Sequence, residues 1–572
     1  MGPLPRKNEV NQKVNECLSD VYGDTWTVLH NESLKTRMER ARTLINKKRK
    51  SHWDESDVVL ITYADQFYCE KEKPLSTFNQ FWKSWFSSVF SHVHLLPFYP
   101  WSSDDGFSVI DYYQVSPSTG GWNDIRDLNT SCRLMFDFVC NHMSAKSDWF
   151  TRYLQQAPGY EKFFIEMEPT ADLHAVTRPR ALPLLTPFTL QDKSVRYLWT
   201  TFSEDQIDLN YSNPDVLLAM TDVLLTYLER GADYVRLDAV GYMWKTPGTT
   251  CIHLAKTHQL IKFFRAIADE VAPGTVIITE TNVPHKDNVS YLGNGHDEAH
   301  MIYQFSLPPL VLHSLHSLHR QDCQVLCQWA QSLTLPSNET TWFNFLASHD
   351  GIGLNPLRGL LAEEDILALV TAMQKEGALV NWKNNPDGTR SPYELNVTWM
   401  DALSHQNDSD EERFAKFILT HVLLLTFPGI PAIYIQSILG ARNDYEGVEI
   451  QGYNRAINRK KYKRKTIEEM LMTEGSLCHD VYQTLSRLII LRRSNKALHP
   501  DSAFDICSLT PSVLRITRSA DKRETINALF NFSDRIQSID AGIYTGVDLI
   551  SGINVSGETL MLQPWQVMWI KK

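Results

Sequence analysis

The stretch Tyr234-Val-Arg-Leu-Asp-Ala-Val-Gly-Tyr242 combines an apolar run, typical of a buried parallel strand, with two charged side chains, Arg236 and Asp238. Side chains two residues apart in a strand point to the same face, so the arginine and the carboxylate should lie side by side. Burying such a pair costs free energy unless each charge is satisfied. The stretch therefore predicts a core strand that ends in a functional carboxylate.

Seven further apolar runs of strand length surround this stretch and alternate with helical patterns. They are Val58–Tyr63, His92–Phe98, Leu134–Val139, Thr275–Glu280, Met301–Leu307, Trp342–Ser348 and Ile430–Gln436. In one connection, Asn213-Pro214 predicts a helix start and Gly231 its end. Eight β/α units favour a (β/α)₈ barrel. The alternative, a doubly wound open sheet, would need a glycine-rich phosphate loop after an early strand, and the sequence has none.

The predicted fold is of the α/β class: a (β/α)₈ TIM barrel with two long additions and a C-terminal domain. The additions are an inserted loop subdomain after strand 3 and a long excursion after strand 7, and the last domain is antiparallel β. We expect the barrel in residues 1–142, 213–350 and 411–500, the insert in 143–212, the excursion in 351–410 and the β domain in 501–572. Long loops on a barrel are usually functional.

Composition excludes several classes of function. The net charge of −11 argues against a protein that binds nucleic acids or membrane surfaces, because such a protein needs a dominant basic surface. Nine cysteines without a CxxC pair fit reduced thiols, and the pair Cys323 and Cys327 lacks the further ligands of a zinc site. No apolar run reaches transmembrane length, and no apolar leader is present. We therefore expect a cytoplasmic protein without a metal site.

Charged side chains recur at the predicted strand ends, where the chemistry of such barrels collects. They are Asp104 and Asp105 after strand 2, Asp137 and His142 at strand 3, Arg236 and Asp238 at strand 4, Glu280 at strand 5, and His349 and Asp350 at strand 7. Glycosyl transfer needs one carboxylic acid to protonate the leaving oxygen and one carboxylate at the sugar carbon. The pattern therefore indicates an enzyme acting on sugars.

These residues carry a family resemblance. Asp137-Phe-Val-Cys-Asn-His142, Val235-Arg-Leu-Asp-Ala-Val240, Ile278-Thr-Glu280 and Ala347-Ser-His-Asp350 resemble the four short motifs of the α-amylase superfamily, glycoside hydrolase family 13. The resemblance implies Asp238 as nucleophile, Glu280 as acid/base and Asp350 as transition-state stabiliser. It also implies that His142, Arg236 and His349 bind the substrate.

Finer details are similar to the sucrose-phosphorylase branch, and most of all to bacterial glucosylglycerate phosphorylases. The segments Leu95–Phe107 and Arg178–Phe188 carry this similarity. It implies that Arg180, Tyr242 and Tyr393 bind phosphate and acceptor, and that Asp104, Phe107, Phe202, Gln206 and Arg455 complete the glucose subsite. One position departs from the wider branch: Glu394 follows Tyr393, where sucrose phosphorylases tend to have glutamine, so their acceptor contacts do not transfer directly.

The implied activity is reversible phosphorolysis of 2-O-α-glucosylglycerate through a covalent glucosyl-enzyme. Phosphate is then a substrate, no cofactor is needed, and the partners are small molecules rather than nucleic acid or membrane; the oligomeric state stays open. The alternatives are a sucrose or sucrose 6′-phosphate phosphorylase, an α-glucosidase or transglucosidase, and a non-catalytic barrel of a transporter. The last is disfavoured because all three acids are present and no membrane segment is.

Both phosphate and glycerate are anions, so an acidic protein should gather cations at the mouth of the site. The available side chains are Arg178, Arg180, Arg390, Arg442, Arg455 and the run Arg459-Lys-Lys-Tyr-Lys-Arg-Lys465. For most of this run, a solvated surface is the simpler interpretation.

Overall fold

The computed structural model describes residues 7–45, 48–50, 52–316, 322–385, 387–521, 524–540 and 542–572. Eight parallel strands close into a barrel in chain order, and the last strand pairs with the first. We label them β1 (Val59–Thr62), β2 (His92–Leu95), β3 (Arg133–Val139), β4 (Ala232–Asp238), β5 (Val276–Thr279), β6 (Met301–Tyr303), β7 (Thr341–Asn344) and β8 (Ile430–Tyr434). The closed sheet confirms the predicted barrel and excludes the open doubly wound sheet.

Several strands are shorter than the apolar runs that predicted them. Strand β4 ends at Asp238 because Ala239 adopts a left-handed conformation with φ of 50°. Strand β8 ends at Tyr434 because the helix Ile435–Ile438 begins at once. The apolar residues beyond these ends are still buried, in turns and short helices, which is why hydrophobicity alone extended the strands.

Helices fill the connections and cover the outside of the barrel. Their bounds are Lys7–Tyr22, Val28–Leu44, Pro74–Phe81, Trp122–Asn129, Asp148–Leu154, Pro214–Glu229, Ala255–Val271, His285–Val289, Leu307–His316, Gln324–Gln331, Glu363–Lys375, Trp399–Ala402, Asp410–Thr426, Ile435–Ile438, Tyr445–Gln451, Arg464–Met472 and Leu477–Arg493. Before β4, the Asn213 side chain accepts a hydrogen bond from the Asp215 N–H, as the predicted helix start requires. Gly231 follows the same helix with φ of 99°, a conformation that favours glycine.

The segment after β3 folds back onto the barrel through a short antiparallel pair, His142–Ser144 with Gln206–Asp208. A hairpin of Leu185–Thr189 and Val195–Trp199 lies between these two strands in the chain. Lys245 fixes the base of the pair, because its Nζ lies 2.6 Å from Asp208 Oδ2 and 2.8 Å from Asn141 Oδ1. This bracing holds the ends of the segment, and the side chains they carry, over the barrel.

The segment after β7 contains an antiparallel pair of strands, Leu379–Asn384 and Arg390–Asn396, which we call the rim hairpin. A third short strand, Ile352–Gly353, pairs with its second strand and ties it to the end of β7. The pairing changes register between Asn381 and Trp382. The rim hairpin thereby stands beside the carboxyl ends of the barrel strands.

The C-terminal part of the chain forms an antiparallel sheet, as predicted. In spatial order its strands are Ala503–Thr510, Val513–Asp521, Glu524–Asn531, Val567–Lys571, Gly546–Asp548 and Asn554–Val555, and a separate pair joins Gln537–Asp540 to Thr559–Leu562. The division of the chain into six segments stays a prediction. Among the helices of the described ranges, none combines the length and apolar character needed to span a bilayer. The cytoplasmic location also stays a prediction.

Candidate active site

The carboxyl ends of the barrel strands surround an open cavity. Its volume, including the solvent-filled mouth, is about 730 Å³. The predicted site residues that line it are Asp104, Phe107, His142, Arg180, Phe202, Gln206, Asp238, Tyr242, Glu280, His349, Asp350, Tyr393 and Arg455. Arg236 does not line the cavity and is buried behind Asp238. The structure therefore brings the predicted residues together at one place, including those from both long segments.

Arg236 is held between two carboxylates from adjacent strands. Its Nη1 donates to Asp238 Oδ1 at 2.7 Å and to Asp137 Oδ1 at 2.5 Å. The register of the barrel sets this up, because Asp137 of β3 lies directly opposite Arg236 of β4. Asp137 is fixed in turn by His94, whose Nε2 lies 2.7 Å from Asp137 Oδ2. The charges that a buried strand should not tolerate are thus compensated by hydrogen-bonded partners.

The backbone turn after Asp238 positions Glu280. Ala239 has a positive φ, which is uncommon for a residue with a side chain and costs about 1 kcal/mol or more. In this conformation its N–H donates to Glu280 Oε2 at 3.1 Å. Ala239 therefore connects the turn after Asp238, at the end of β4, to Glu280, which follows β5.

Asp238 and Glu280 share an environment but differ in their contact with Arg236. Burial raises the pKa of both carboxyl groups. The Arg236 guanidinium lies 2.7 Å from Asp238 and 3.9 Å from Glu280, so it stabilises a negative charge on Asp238 more strongly. The geometry thus favours an ionised Asp238 and a protonated Glu280, the division of roles that a nucleophile and a general acid require.

Asp350 belongs to a second compensated cluster. Arg455 Nη1 lies 2.7 Å from Asp350 Oδ1, and the same guanidinium donates to Glu394 through Nε at 2.8 Å and Nη2 at 3.0 Å. Burial raises the pKa of Asp350, but the adjacent His349 ring, whose Nε2 lies 3.5 Å from Asp350 Oδ2, and the positive charges of Arg455 and Arg236 outweigh it and leave that pKa below its usual value. Asp350 is therefore ionised at neutral pH.

Two aromatic side chains and two histidines form one wall of the cavity. The Phe107 ring stacks on His349 with centroids 4.9 Å apart and planes 7° apart. His142 Nε2 lies 2.9 Å from the Phe107 carbonyl oxygen, and its ring contacts Phe202 at 5.2 Å. Burial lowers the pKa of both histidines, so they are neutral and able to hydrogen-bond sugar hydroxyls without adding charge.

A tight turn directs the side chains of Asp104 and Asp105 to opposite sides of the loop. Both have positive φ values, 53° and 44°, and Gly106 follows at 108°, where a Cβ would lie 2.6 Å from the Pro97 carbonyl oxygen. Asp104 Oδ2 accepts from Gln206 Nε2 at 3.1 Å at the cavity. Asp105 turns away and pairs with Arg459 Nη1 at 2.5 Å. Only the first of the two aspartates is presented to a ligand.

Arg180 lies against two aromatic rings that line the cavity. Its guanidinium is 5.7 Å from the centre of the Phe202 ring and 5.9 Å from that of Tyr393. Within the described residues, no carboxylate lies at ion-pair distance from it. Burial raises the pKa of Tyr393 to about 12, and it also raises that of Tyr242, so both phenols keep their protons and can donate hydrogen bonds.

Sequence reasoning missed several residues of the site. Glu394, noted only as a departure, lines the cavity and is buried against Arg455. Thr281, Asn282 and Val283, which follow Glu280 in the chain, also line it. Their position directly after a motif ending in the acid/base was the available signal. Within the described ranges, no group of three or more His, Cys, Asp or Glu side chains is arranged to hold a metal ion, and the absence of a metal stays a prediction.

Comparisons with known proteins agree with this geometry. The α-amylase catalytic domain family matches residues 89–357. A glucosylglycerate phosphorylase of Escherichia coli (strain K12) is 66% identical over 98% of this chain and 100% of its own length. One from Allomeiothermus silvanus is 44% identical over 98% and 99%. The crystal structure of sucrose 6F-phosphate phosphorylase from Thermoanaerobacter thermosaccharolyticum superposes with a TM-score of 0.72 at 27% identity, covering 84% of this chain and 94% of that one. The chain belongs to the α-amylase family and, within it, to the group of the glucosylglycerate phosphorylases.

Proposed function

We propose that this protein is a retaining glycoside phosphorylase that converts 2-O-α-glucosylglycerate and phosphate reversibly into α-glucose 1-phosphate and glycerate. Full-length similarity to glucosylglycerate phosphorylases supports the substrate. The single observation that carries the mechanism is the asymmetric contact of Arg236 with Asp238 and Glu280. It assigns one ionised and one protonated carboxyl group to a single cavity, as retaining chemistry needs.

In the first step, Glu280 donates its proton to the glycosidic oxygen while Asp238 attacks the anomeric carbon. The bond between that carbon and the glycerate oxygen breaks, and a β-glucosyl ester forms on Asp238. Arg236 holds the Asp238 carboxylate in place until the ester forms. Glycerate leaves with the proton of Glu280, which is now a carboxylate.

In the second step, a phosphate oxygen attacks the same carbon from the side that glycerate vacated. The ester bond breaks, Asp238 regains its negative charge, and the phosphate proton passes to Glu280, which restores the starting state. Two displacements at one carbon give net retention. In both steps the ionised Asp350 stabilises the positive charge that develops on the glucose ring.

Glucose recognition falls to the residues on the floor and wall of the cavity. We assign this role to Asp104, Phe107, His142, Phe202, Gln206, His349 and Arg455, whereas Arg236, predicted to bind the substrate, does not line the cavity and acts through Asp238. Neutral histidines suit an uncharged sugar, because they offer hydrogen bonds to its hydroxyls without adding charge. The ring of Phe107, held against His349, supplies an apolar face.

Phosphate must outcompete water for the covalent intermediate, and Arg180 with Tyr242 and Tyr393 is suited to this task. A guanidinium without a carboxylate partner binds an oxyanion strongly, and the two phenols add hydrogen bonds. The rings of Phe202, Tyr242 and Tyr393 exclude water from the same volume. Small molecules are the only partners this reaction requires, and it needs no cofactor.

The decisive assay supplies the purified protein with glucosylglycerate, with and without phosphate. We expect glucose 1-phosphate of the α configuration only when phosphate is present. Free glucose formed at the same rate without phosphate would contradict the proposal in favour of a hydrolase. In the reverse direction, an acceptor screen of glycerate, glycerol, fructose and fructose 6-phosphate with α-glucose 1-phosphate should give the highest kcat/KM with glycerate; a preference for either fructose compound would identify a sucrose-type phosphorylase instead.

A further inference from the structure

The loop that follows Glu280 marks the acceptor side of the cavity. Glu280 protonates the oxygen between glucose and glycerate, so glycerate must lie next to Glu280 and away from the glucose wall. Thr281, Asn282 and Val283 continue from Glu280 along the lining of the cavity. Asn282 Oδ1 is buried without a hydrogen-bond partner in the described structure. It is an acceptor free to bind a ligand hydroxyl.

Two hydrogen bonds connect this loop to a cationic side chain on the rim hairpin. Asn355 Nδ2 donates to the Asn282 carbonyl oxygen at 3.3 Å. The other end of the same amide, Asn355 Oδ1, accepts from Lys383 Nζ at 3.0 Å and from Arg358 Nη1 at 2.7 Å. One amide thus gathers two positive charges beside the acceptor side of the cavity.

Lys383 also shares a face of the rim hairpin with Asn381, which hydrogen-bonds a residue that lines the cavity. It lies two positions after Asn381 in the first strand, and both side chains are partly buried while Trp382 and Asn384 are exposed, so Asn381 and Lys383 point the same way despite the change of register. Asn381 Nδ2 donates to Glu394 Oε1 at 2.7 Å, so this face looks toward the cavity. Lys383 is the next side chain outward on it.

Lys383 differs from most other cations around the cavity because it has no carboxylate partner in the described structure. Arg236, Arg455 and Arg459 are each paired with carboxylates, and so is Arg358, whose Nε donates to Glu363 Oε1 at 3.1 Å. In the described part of the chain, no carboxylate lies at ion-pair distance from Lys383, although the side chain is half-buried. Burial and the neighbouring charge of Arg358 lower the pKa of Lys383 to about 8. A partly buried cation without a carboxylate partner is stabilised when an anion binds beside it.

We propose that Lys383, with Arg358 beside it and Asn282 facing the hydroxyls, recognises the carboxylate of the acceptor and so selects glycerate over uncharged polyols. This assignment rests on the proposed function and adds the acceptor subsite to it. Arg180 and Lys383 then bind different anions: Arg180 binds phosphate, and Lys383 binds glycerate. A separate cation for each anion lets one cavity accept them in turn.

The test uses the full-length enzyme in the synthetic direction, with α-glucose 1-phosphate as donor and either glycerate or glycerol as acceptor. Glycerol keeps the carbon skeleton and hydroxyls but lacks the carboxylate. Lys383→Met keeps most of the apolar side chain and removes the charge, and Lys383→Arg keeps the charge. Lys375→Met, at the exposed end of the helix Glu363–Lys375, is the matched control. Phosphate KM is measured for each variant in the phosphorolytic direction.

We expect Lys383→Met to raise KM for glycerate tenfold or more, while KM for glycerol and for phosphate stays within twofold of wild type. Lys383→Arg should recover most of the loss, and Lys375→Met should match wild type. Activity with glycerol also reports that each variant is folded. An unchanged KM for glycerate, or an equal rise for glycerol or phosphate, would overturn the assignment of Lys383. Failure of the wild-type enzyme to use glycerate at all would overturn the proposed function and this assignment together.

Discussion

The glucose side and the acceptor side of the cavity treat charge in opposite ways. On the glucose side, Arg236 lies between Asp137 and Asp238, and Arg455 lies between Asp350 and Glu394, at distances of 2.5 to 3.0 Å. On the acceptor side, Arg180 and Lys383 have no carboxylate at ion-pair distance within the described structure. The cations of the first region are paired with carboxylates, whereas the second region also holds two that are not, although Arg358 beside Lys383 is paired with Glu363.

This difference follows from what each side must bind. Glucose is neutral and gains positive charge only as it reacts, so its side needs no free cation, and the two arginines instead hold the carboxylates rigidly in place. Phosphate and glycerate are anions, and cations that already had protein partners would bind them poorly. The following substitutions test this division, starting with the largest expected effect.

Replacing Asp238 with Asn removes the nucleophile from the paired side and keeps its size. We expect kcat to fall by about 10⁴-fold or more, because no ester forms, while glucosylglycerate still binds. Steady-state phosphorolysis and calorimetric titration measure the two effects. Asp65→Asn, at the partly exposed Asp65–Lys461 pair, is the control. Activity of Asp238→Asn within tenfold of wild type would remove Asp238 from this role.

Replacing Glu280 with Gln removes the proton donor. Phosphorolysis of glucosylglycerate should fall by about 10²- to 10⁴-fold, whereas α-glucosyl fluoride, whose leaving group needs no proton, should lose much less. In the wild type, burial raises the pKa of Glu280, so kcat/KM should decline as pH rises through that raised pKa and the acid loses its proton. The variant should lack this alkaline decline. A decline that persists in Glu280→Gln would assign it to another group.

Replacing Arg180 with Ala tests the unpaired side directly. We expect phosphate KM to rise about ten- to a hundredfold, as for the loss of a charge-assisted hydrogen bond, and a larger share of glucose to be released by hydrolysis. Arg178→Ala, an exposed neighbour in the same segment, should leave both quantities unchanged. Product ratios at several phosphate concentrations give the measurement. Unchanged phosphate dependence in Arg180→Ala would contradict its role as a clamp.

The paired side was largely predictable from the sequence, because strand geometry determines it. Arg236 and Asp238 lie two residues apart in one strand, and strand ends in a barrel meet at one rim, so spacing alone brought Asp238 and Glu280 together. The bounds of β4 and β8 were less predictable. Apolar residues in turns and short helices are buried as well as those in strands, so the runs were longer than the strands.

The acceptor side was harder to predict because it depends on contacts between distant segments. Lys383 gains its position from Asn355 and Asn282, residues that reach it only after the excursion folds back over β5 and β7. Similarly, the bond of Glu394 to Arg455 joins residues 61 positions apart. No local pattern marks such pairs. The composition did predict that cations were needed, but Arg442 pairs with Asp401 and Arg459 with Asp105, so fewer of them are free than the sequence suggested.

Replacing Glu394 with Gln removes one of the two carboxylates that contact Arg455 on the glucose side. Arg455 would keep Asp350 but lose one compensating charge, so we expect kcat/KM for glucosylglycerate to fall about five- to thirtyfold, corresponding to about 1–2 kcal/mol. Because the cavity loses one negative charge, phosphate KM should be equal to or below that of wild type. Steady-state kinetics in both substrates give the comparison. A rise in phosphate KM would place Glu394 on the acceptor side instead.

The smallest effect is expected for the basic run outside the cavity. Lys461 pairs with Asp65, and Lys463 pairs with Glu70, and these are partly exposed contacts that solvent screens. Replacing both lysines with Ala should change kcat/KM and phosphate KM by less than twofold at physiological ionic strength. The same kinetics repeated at low salt examine long-range attraction, which screening would otherwise hide. A loss of phosphate affinity comparable to that of Arg180→Ala would mean that general surface charge gathers the anions, and not the unpaired cations at the cavity.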